Sequence, residues 1–267
     1  MNHLAIMTLA AVLSGGGADA QEDFRWSGRI APGHEIRIQG VAGDVRAELA
    51  SGDRVEVVAR RHGRDAPRVQ VQAVETARGV TICAVYPGSR AGGAGGCPSR
   101  RGDGSTIRDA RVDFVVRVPA GVRLNVGVVD GDVSATGLRS PVEVSTVSGD
   151  VRIATTGAAR ASTVSGDIEA AFGVGEGRET AFNSVSGDIT LRLASGYGAE
   201  VRANTLSGDI ESDFQLDRGA GNRSRSESGG VRVDVRIGKR ASGTIGRGGP
   251  PLTVNTVSGD IRILGAR

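Results

Sequence analysis

Five near-identical hexapeptides constrain this chain more than any other feature: "TVSGDV" at 146–151, "TVSGDI" at 163–168, "SVSGDI" at 184–189, "TLSGDI" at 205–210 and "TVSGDI" at 256–261. A single Ser-Gly-Asp could be a catalytic site. Five copies with matching flanks have to be explained as construction first. Aligned on the tripeptide, the copies fall into columns. Four places before the Ser stand Val144, Ala161, Phe182, Ala203 and Val254, and six places before it Val142, Ala159, Thr180, Val201 and Leu252. The places between are mostly polar, so each copy carries a strand with one buried face. Directly before the Ser stands Val147, Val164, Val185, Leu206 or Val257.

A second strand leaves each tripeptide through Val151, Ile168, Ile189, Ile210 or Ile261. Gly supplies a backbone geometry that other residues resist, and Ser and Asp can bond nearby backbone groups, which suits a sharp strand-to-strand corner. The structural corners are thus Gly149-Asp150, Gly166-Asp167, Gly187-Asp188, Gly208-Asp209 and Gly259-Asp260. Weaker copies stand at "VAGDVRA" (41–47) and "VDGDVSA" (129–135), and "ESGGVRV" around Gly230 reads as a degenerate copy without its acid. Ser51-Gly52-Asp53 lacks the apolar flanks and reads as an ordinary turn.

Repeats near twenty residues, each with two short strands and a corner, predict an all-β fold. The favoured form is a β-solenoid, β-helix-like, of stacked two-strand repeats with Ser-Gly-Asp corners. The alternative is an antiparallel β-meander in which each tripeptide is a hairpin tip. Forty-two Gly and only 3% aromatic residues agree with many short strands and tight turns.

At the N-terminus an apolar stretch from Leu4 to Leu13 and Ala18-Asp19-Ala20 predict a signal peptide over 1–20, with no Lys or Arg before the apolar run. That run is too short to span a bilayer, and no later stretch is a membrane span. The expectation is an exported protein of the periplasm, cell surface or medium, with 21–267 forming a single β-repeat domain. Cys83 and Cys97, the only cysteines, flank the Gly-rich "CAVYPGSRAGGAGGC" and predict a disulfide that pins an insertion at about 83–108. Closing such a loop is worth about 3 kcal/mol in the chain-entropy picture.

Repeated "SGDI" corners, the entry segment "RVDFVVRVPAGVRLNVGVVDGDV" at 111–133, and the strand "TICAVYPG" followed by a later Cys resemble the bacterial "putative adhesin" β-strand-repeat family, a domain of unknown function, over roughly residues 34–267. The resemblance implies the repeat architecture. It brings no established activity, cofactor or catalytic set.

Asp150, Asp167, Asp188 and Asp209 are the calcium candidates of the repeat column. Stacked at strand spacing, neighbouring carboxylates repel by about 0.9 kcal/mol in water. Backbone amides at each corner, or calcium between carboxylates, could offset this. The denser nonapeptide of calcium-binding β-rolls is not present, so no metal and no cofactor is expected. Polysaccharide-cleaving chemistry divides acid and base roles between carboxylates in different settings, whereas every acid of this column has the same neighbours. Past the leader only His34 and His62 remain, in no nucleophile motif. No enzyme is expected. A net charge of +3 and scarce aromatics argue against nucleic acid, and the basic stretch 217–247, which holds the chain's one lysine, Lys239, reads as a solvated face. Arg101-Gly102-Asp103 matches an integrin-type tripeptide that this Arg-, Gly- and Asp-rich composition supplies by chance. The reading is an exported, non-catalytic structural or interaction (adhesin-like) protein with an unknown protein, envelope or extracellular surface partner. The alternative is a polysaccharide-directed β-helix enzyme or glycan binder.

Overall fold

Alternation of Val, Ile and Ala with polar residues forces each strand to hide one face, and the chain does so by building two large sheets that share one core. The computed structural model describes residues 23–90, 97, 99–100, 108–173, 179–228 and 231–266. The leader 1–20, Arg101-Gly102-Asp103 and Gly230 lie outside the described residues.

Strands β1 (Phe24–Arg29), β2 (Glu35–Gln39), β3 (Val45–Leu49) and β4 (Arg54–His62) precede one 3-10 turn at Ala66–Arg68. Next come β5 (Gln70–Thr76), β6 (Gly79–Val85), the short β7 (Ser89–Arg90) and β8 (Ser99–Arg100), and β9 (Arg111–Val118). The repeats supply β10 (Arg123–Gly127), β11 (Val133–Leu138), β12 (Val142–Ser145), β13 (Val151–Thr155), β14 (Ala159–Ser165), β15 (Ile168–Phe172), β16 (Thr180–Ser186), β17 (Ile189–Leu193), β18 (Ala199–Ser207) and β19 (Ile210–Ser212). The chain closes with β20 (Asp217–Ser228), β21 (Val231–Ile245), β22 (Pro251–Ser258) and β23 (Ile261–Gly265).

One sheet runs β1-β4-β9-β3-β11-β13-β15-β17-β23-β19, and the other β20-β21-β18-β22-β16-β14-β12-β10-β2-β6-β5. Within the repeats, pairing is parallel and like lies over like: Val144 beside Ala161, Ala161 beside Phe182, Phe182 beside Val254. These pairings are those of a stack and not of an antiparallel meander. Antiparallel pairs among the described strands occur at the flanks, in β1–β4, β4–β9, β5–β6, β18–β21 and β20–β21, and in the small β7–β8 pair.

The layers do not follow chain order. β22 lies between β16 and β18, and β23 between β17 and β19, so the last repeat is inserted one layer inside the stack. β20 and β21 form an antiparallel ribbon in which Ser228 lies opposite Val231. Lys239 to Ile245 of that ribbon pair with β18, whereas Asn222 to Ile237 pair only within the ribbon.

The core is a set of aliphatic rows, with Phe114 and Phe182 the largest fully buried side chains. Phe172 stacks on Phe182 at 5.6 Å between ring centroids and meets Tyr197 edge-on at 5.2 Å. Near the other end, β6 and β9 occupy one layer, and 86–110 joins them where other layers have a short junction. Cys83 of β6 is bonded to Cys97 of that segment.

Candidate functional site

Each Ser-Gly-Asp lies where a strand of one sheet gives way to a strand of the other, as Ser148-Gly149-Asp150 does between β12 and β13. Two physical demands fix the Gly. Gly166 has φ +145, and a Cβ there would meet the carbonyl oxygen of Gly149 at 2.1 Å. The same approach recurs up the stack, from Gly43 against Val112 through Gly131, Gly149, Gly166, Gly187 and Gly259 to Gly208. Parallel layers stand about 4.8 Å apart, so any side chain at this point would collide with the layer beneath.

The Asp solves a different problem. Its backbone N–H donates to a carboxylate oxygen of the layer before: Asp150 to Oδ1 of Asp132 at 2.8 Å, Asp167 to Asp150 at 2.9 Å, Asp188 to Asp167 at 2.8 Å. The row continues with Asp260 donating to Asp188 and Asp209 donating to Asp260, both at 2.8 Å. It begins with Asp44 donating to Asp113 at 2.9 Å and Asp132 donating to Asp44 at 3.1 Å. A hydrogen bond to a charged acceptor is worth about 1.5–3 kcal/mol, more than the repulsion of about 0.9 kcal/mol between neighbouring carboxylates in water. Amides, then, are what offset the stacked charge.

Both ends of the row meet cations or a histidine. Asp209 has no further layer above it, and Lys239 Nζ bonds its Oδ1. At the other end His62 Nε2 lies 3.1 Å from Asp113 Oδ2. Composition alone makes the single lysine look incidental, yet its place at the end of the row gives it a partner that the sequence does not signal.

Beside the carboxylate row runs an outer row of mixed charge. Arg152 holds Glu169 at 3.0 Å and Arg192 holds it at 3.5 Å, and the bond from Arg152 leads in keeping the Glu169 carboxyl below its usual range. Arg262 bridges Asp188, Asp260 and Glu211. Between the two rows lies a polar groove of about 610 Å³. A separate, more apolar cavity of about 750 Å³ sits at the far ends of the same strands, lined by Leu138, Thr155, Phe172 and Leu264 with Arg192 and Asp213.

The calcium candidates Asp150, Asp167, Asp188 and Asp209 thus belong to one row, with Asp260 between the last two. Among the described residues, no three His, Cys, Asp or Glu side chains cluster as a metal would need. Every acid of the row from Asp113 to Asp260 accepts an amide one layer on, while Asp209 at the end is held by Lys239. His34 is an exposed residue of the turn before β2. Elsewhere Arg64 bonds Asp109 at 2.9 Å on the surface, and this bond is the main cause that lowers the Asp109 carboxyl and raises the guanidinium. Burial pushes the Tyr197 phenol up.

The family profile described as Toastrack DUF4097 matches residues 99–226, a little under half of the chain. The Toastrack segment takes in four of the five Ser-Gly-Asp copies and stops short of the inserted last repeat. No curated protein matches the chain. Among solved structures, a "putative cell adhesion protein" from Clostridium sporogenes ATCC 15579 is 8% identical, with TM-score 0.49, covering 92% of this chain and 100% of that one. A "putative adhesin" from Bacteroides fragilis NCTC 9343 is 12% identical, with TM-score 0.37, covering 92% of this chain and 98% of that one. No helix among the described residues is long and apolar enough to cross a membrane.

Proposed function

We propose that this chain is an exported, non-catalytic β-solenoid that presents a rigid laddered surface to a protein, envelope or extracellular partner. The observation that carries the reading is the uniformity of the Asp row. From Asp113 to Asp260 each layer sets one carboxylate against the next layer's amide, an arrangement that serves construction and gives no copy a separate chemical task. Ser-Gly-Asp tripeptides act as the corners of the coil, and 21–267 forms one repeat domain after a signal peptide over 1–20. The Cys83–Cys97 bond supports an oxidising compartment and pins the insertion at about 83–108.

Fractionation of expressing cells, with protease shaving of intact cells, tests the reading. Recovery in the periplasm, on the surface or in the medium, as a chain starting near Gln21, supports it. Retention in the cytoplasm contradicts it. Turnover by the purified chain on a panel of acidic and neutral glycans would replace it with the polysaccharide-directed alternative.

A further inference from the structure

At each junction the alternation breaks, and two consecutive residues point outward. Thr146 is buried, but Val147 and Ser148 are both exposed. The residue before the Ser therefore lies outside the core, contrary to what its apolar character suggests. In stack order these residues are Val41, Val129, Val147, Val164, Val185, Val257 and Leu206, with exposures from 37% to 52%. At about 4.8 Å per layer they form a row about 29 Å long. A hydroxyl would serve a solvated position equally well. Seven aliphatic side chains in one line form a patch and not scattered exposure.

We infer that this row is the contact line through which two copies of the chain pair side by side, with their stacks parallel. Spacing is the first argument for a second copy as the occupant. An identical row has the same rung distance, so each side chain of one copy meets its own counterpart, rung for rung, along the full length of the other. Size is the second. At roughly 50 Å² of exposed apolar surface per side chain, seven give about 350 Å². That is a little under half of the roughly 800 Å² per partner of a standard interface, so the flanking hydroxyl and amide rows have to supply the rest of the contact.

Charge sets the orientation. The flanking row on one side is uncharged, with Ser162, Asn183 and Asn255, and on the other it is Ser148, Ser165 and Ser186 with one acid, Asp130, in the same row. The carboxylate row lies on one side only, two residues past the Ser side. A two-fold axis perpendicular to the stack would face the two carboxylate rows against each other. An axis parallel to it sets them on opposite sides, and like charges across an interface are costly. The parallel pair is the one that the charge pattern permits.

Sedimentation equilibrium of the chain as purified from expressing cells tests the pairing, and single cysteines test its geometry. The wild type should dimerise reversibly. Val185→Asp should weaken the dimer by at least about tenfold, with circular dichroism unchanged, and with thermal unfolding unchanged at concentrations where both chains are monomeric, because the site is exposed in the monomer. With stacks parallel about a two-fold axis, every rung faces its own copy. Val129→Cys, Val164→Cys and Val257→Cys should therefore each give a covalent homodimer under mild oxidation. A wild type that stays monomeric at its highest soluble concentration overturns the inference, as does a dimer indifferent to Val185→Asp. Cross-linking by Val164→Cys alone, the middle rung, would mean antiparallel stacks and overturns it too. Neither result bears on export or on turnover, so the proposed function stands or falls separately.

Discussion

The Asp188 carboxylate accepts the amide of Asp260, seventy-two residues further on, and not that of Asp209, its successor among the repeats. The C-terminal repeat is consequently an interior layer. Deleting 250–267 should do more than shorten the stack, because it strips the buried faces of both β16–β17 and β18–β19. Limited proteolysis should cut rapidly within 199–249, and the thermal transition should lose its cooperativity. Replacing 221–238 by a short turn should leave both nearly unchanged, since those positions pair only within the ribbon.

Gly166→Ala should destabilise the chain by more than about 2 kcal/mol, since it adds a backbone clash to a strained φ. Gly33 provides the control. It also has a positive φ, +86, but nothing lies within 4 Å of its would-be Cβ. Gly33→Ala should therefore cost only the conformational part, about 1 kcal/mol. Urea midpoints of the two variants would separate collision from strain.

For the carboxylate row, Asp167→Ala removes an acceptor from the Asp188 amide and should cost about 1–2 kcal/mol. Asp167→Asn keeps an acceptor oxygen and should cost less than half of that. Calcium added to chelator-treated protein should give neither heat by titration calorimetry nor a thermal shift. An Asn variant as damaging as the Ala variant, together with a calcium-induced shift, would point to metal and not to amides.

Glu169 gives a signed pH dependence. Arg152 and Arg192 depress its folded carboxyl, so the pair's stabilisation is fully present above the ordinary Glu value of about 4.3 and is lost as pH falls through the lower folded value. The side chain is 40% exposed, which limits the effect to the surface-pair range of about 0.2–1 kcal/mol. Glu169→Gln should lower stability slightly at neutral pH and match the wild type in acid, read from urea unfolding at both pH values.

Columns four and six places before the Ser were legible because residue type and period coincide there, and Val144, Phe182, Leu252 and Val254 are buried. The column directly before the Ser was not, because a Val turned outward at a bend has the same letter as one turned inward along a strand. Layer order was also hidden. The five copies are near-equivalent, so nothing in the residues of Asp260 says that it precedes Asp209 in the stack. Around Gly230, the alternation of Val231, Val233 and Val235 was visible, but a strand in a ribbon and a strand in a layer share that period. Lys239 carried no local signal, since its partner Asp209 lies thirty residues away.

Paired cysteines test the stacking and its order together. Ala181 sits opposite Thr253, and Thr253 opposite Arg202, in parallel register, so each pair is one layer apart at about 4.8 Å, within disulfide reach of roughly 4.4–6.8 Å between Cα atoms. Ala181→Cys with Thr253→Cys, and Thr253→Cys with Arg202→Cys, should each form an intramolecular bond, while Ala181→Cys with Arg202→Cys, two layers apart, should not. Ready bonding of the Ala181–Arg202 pair with none for either Thr253 pair would contradict the account.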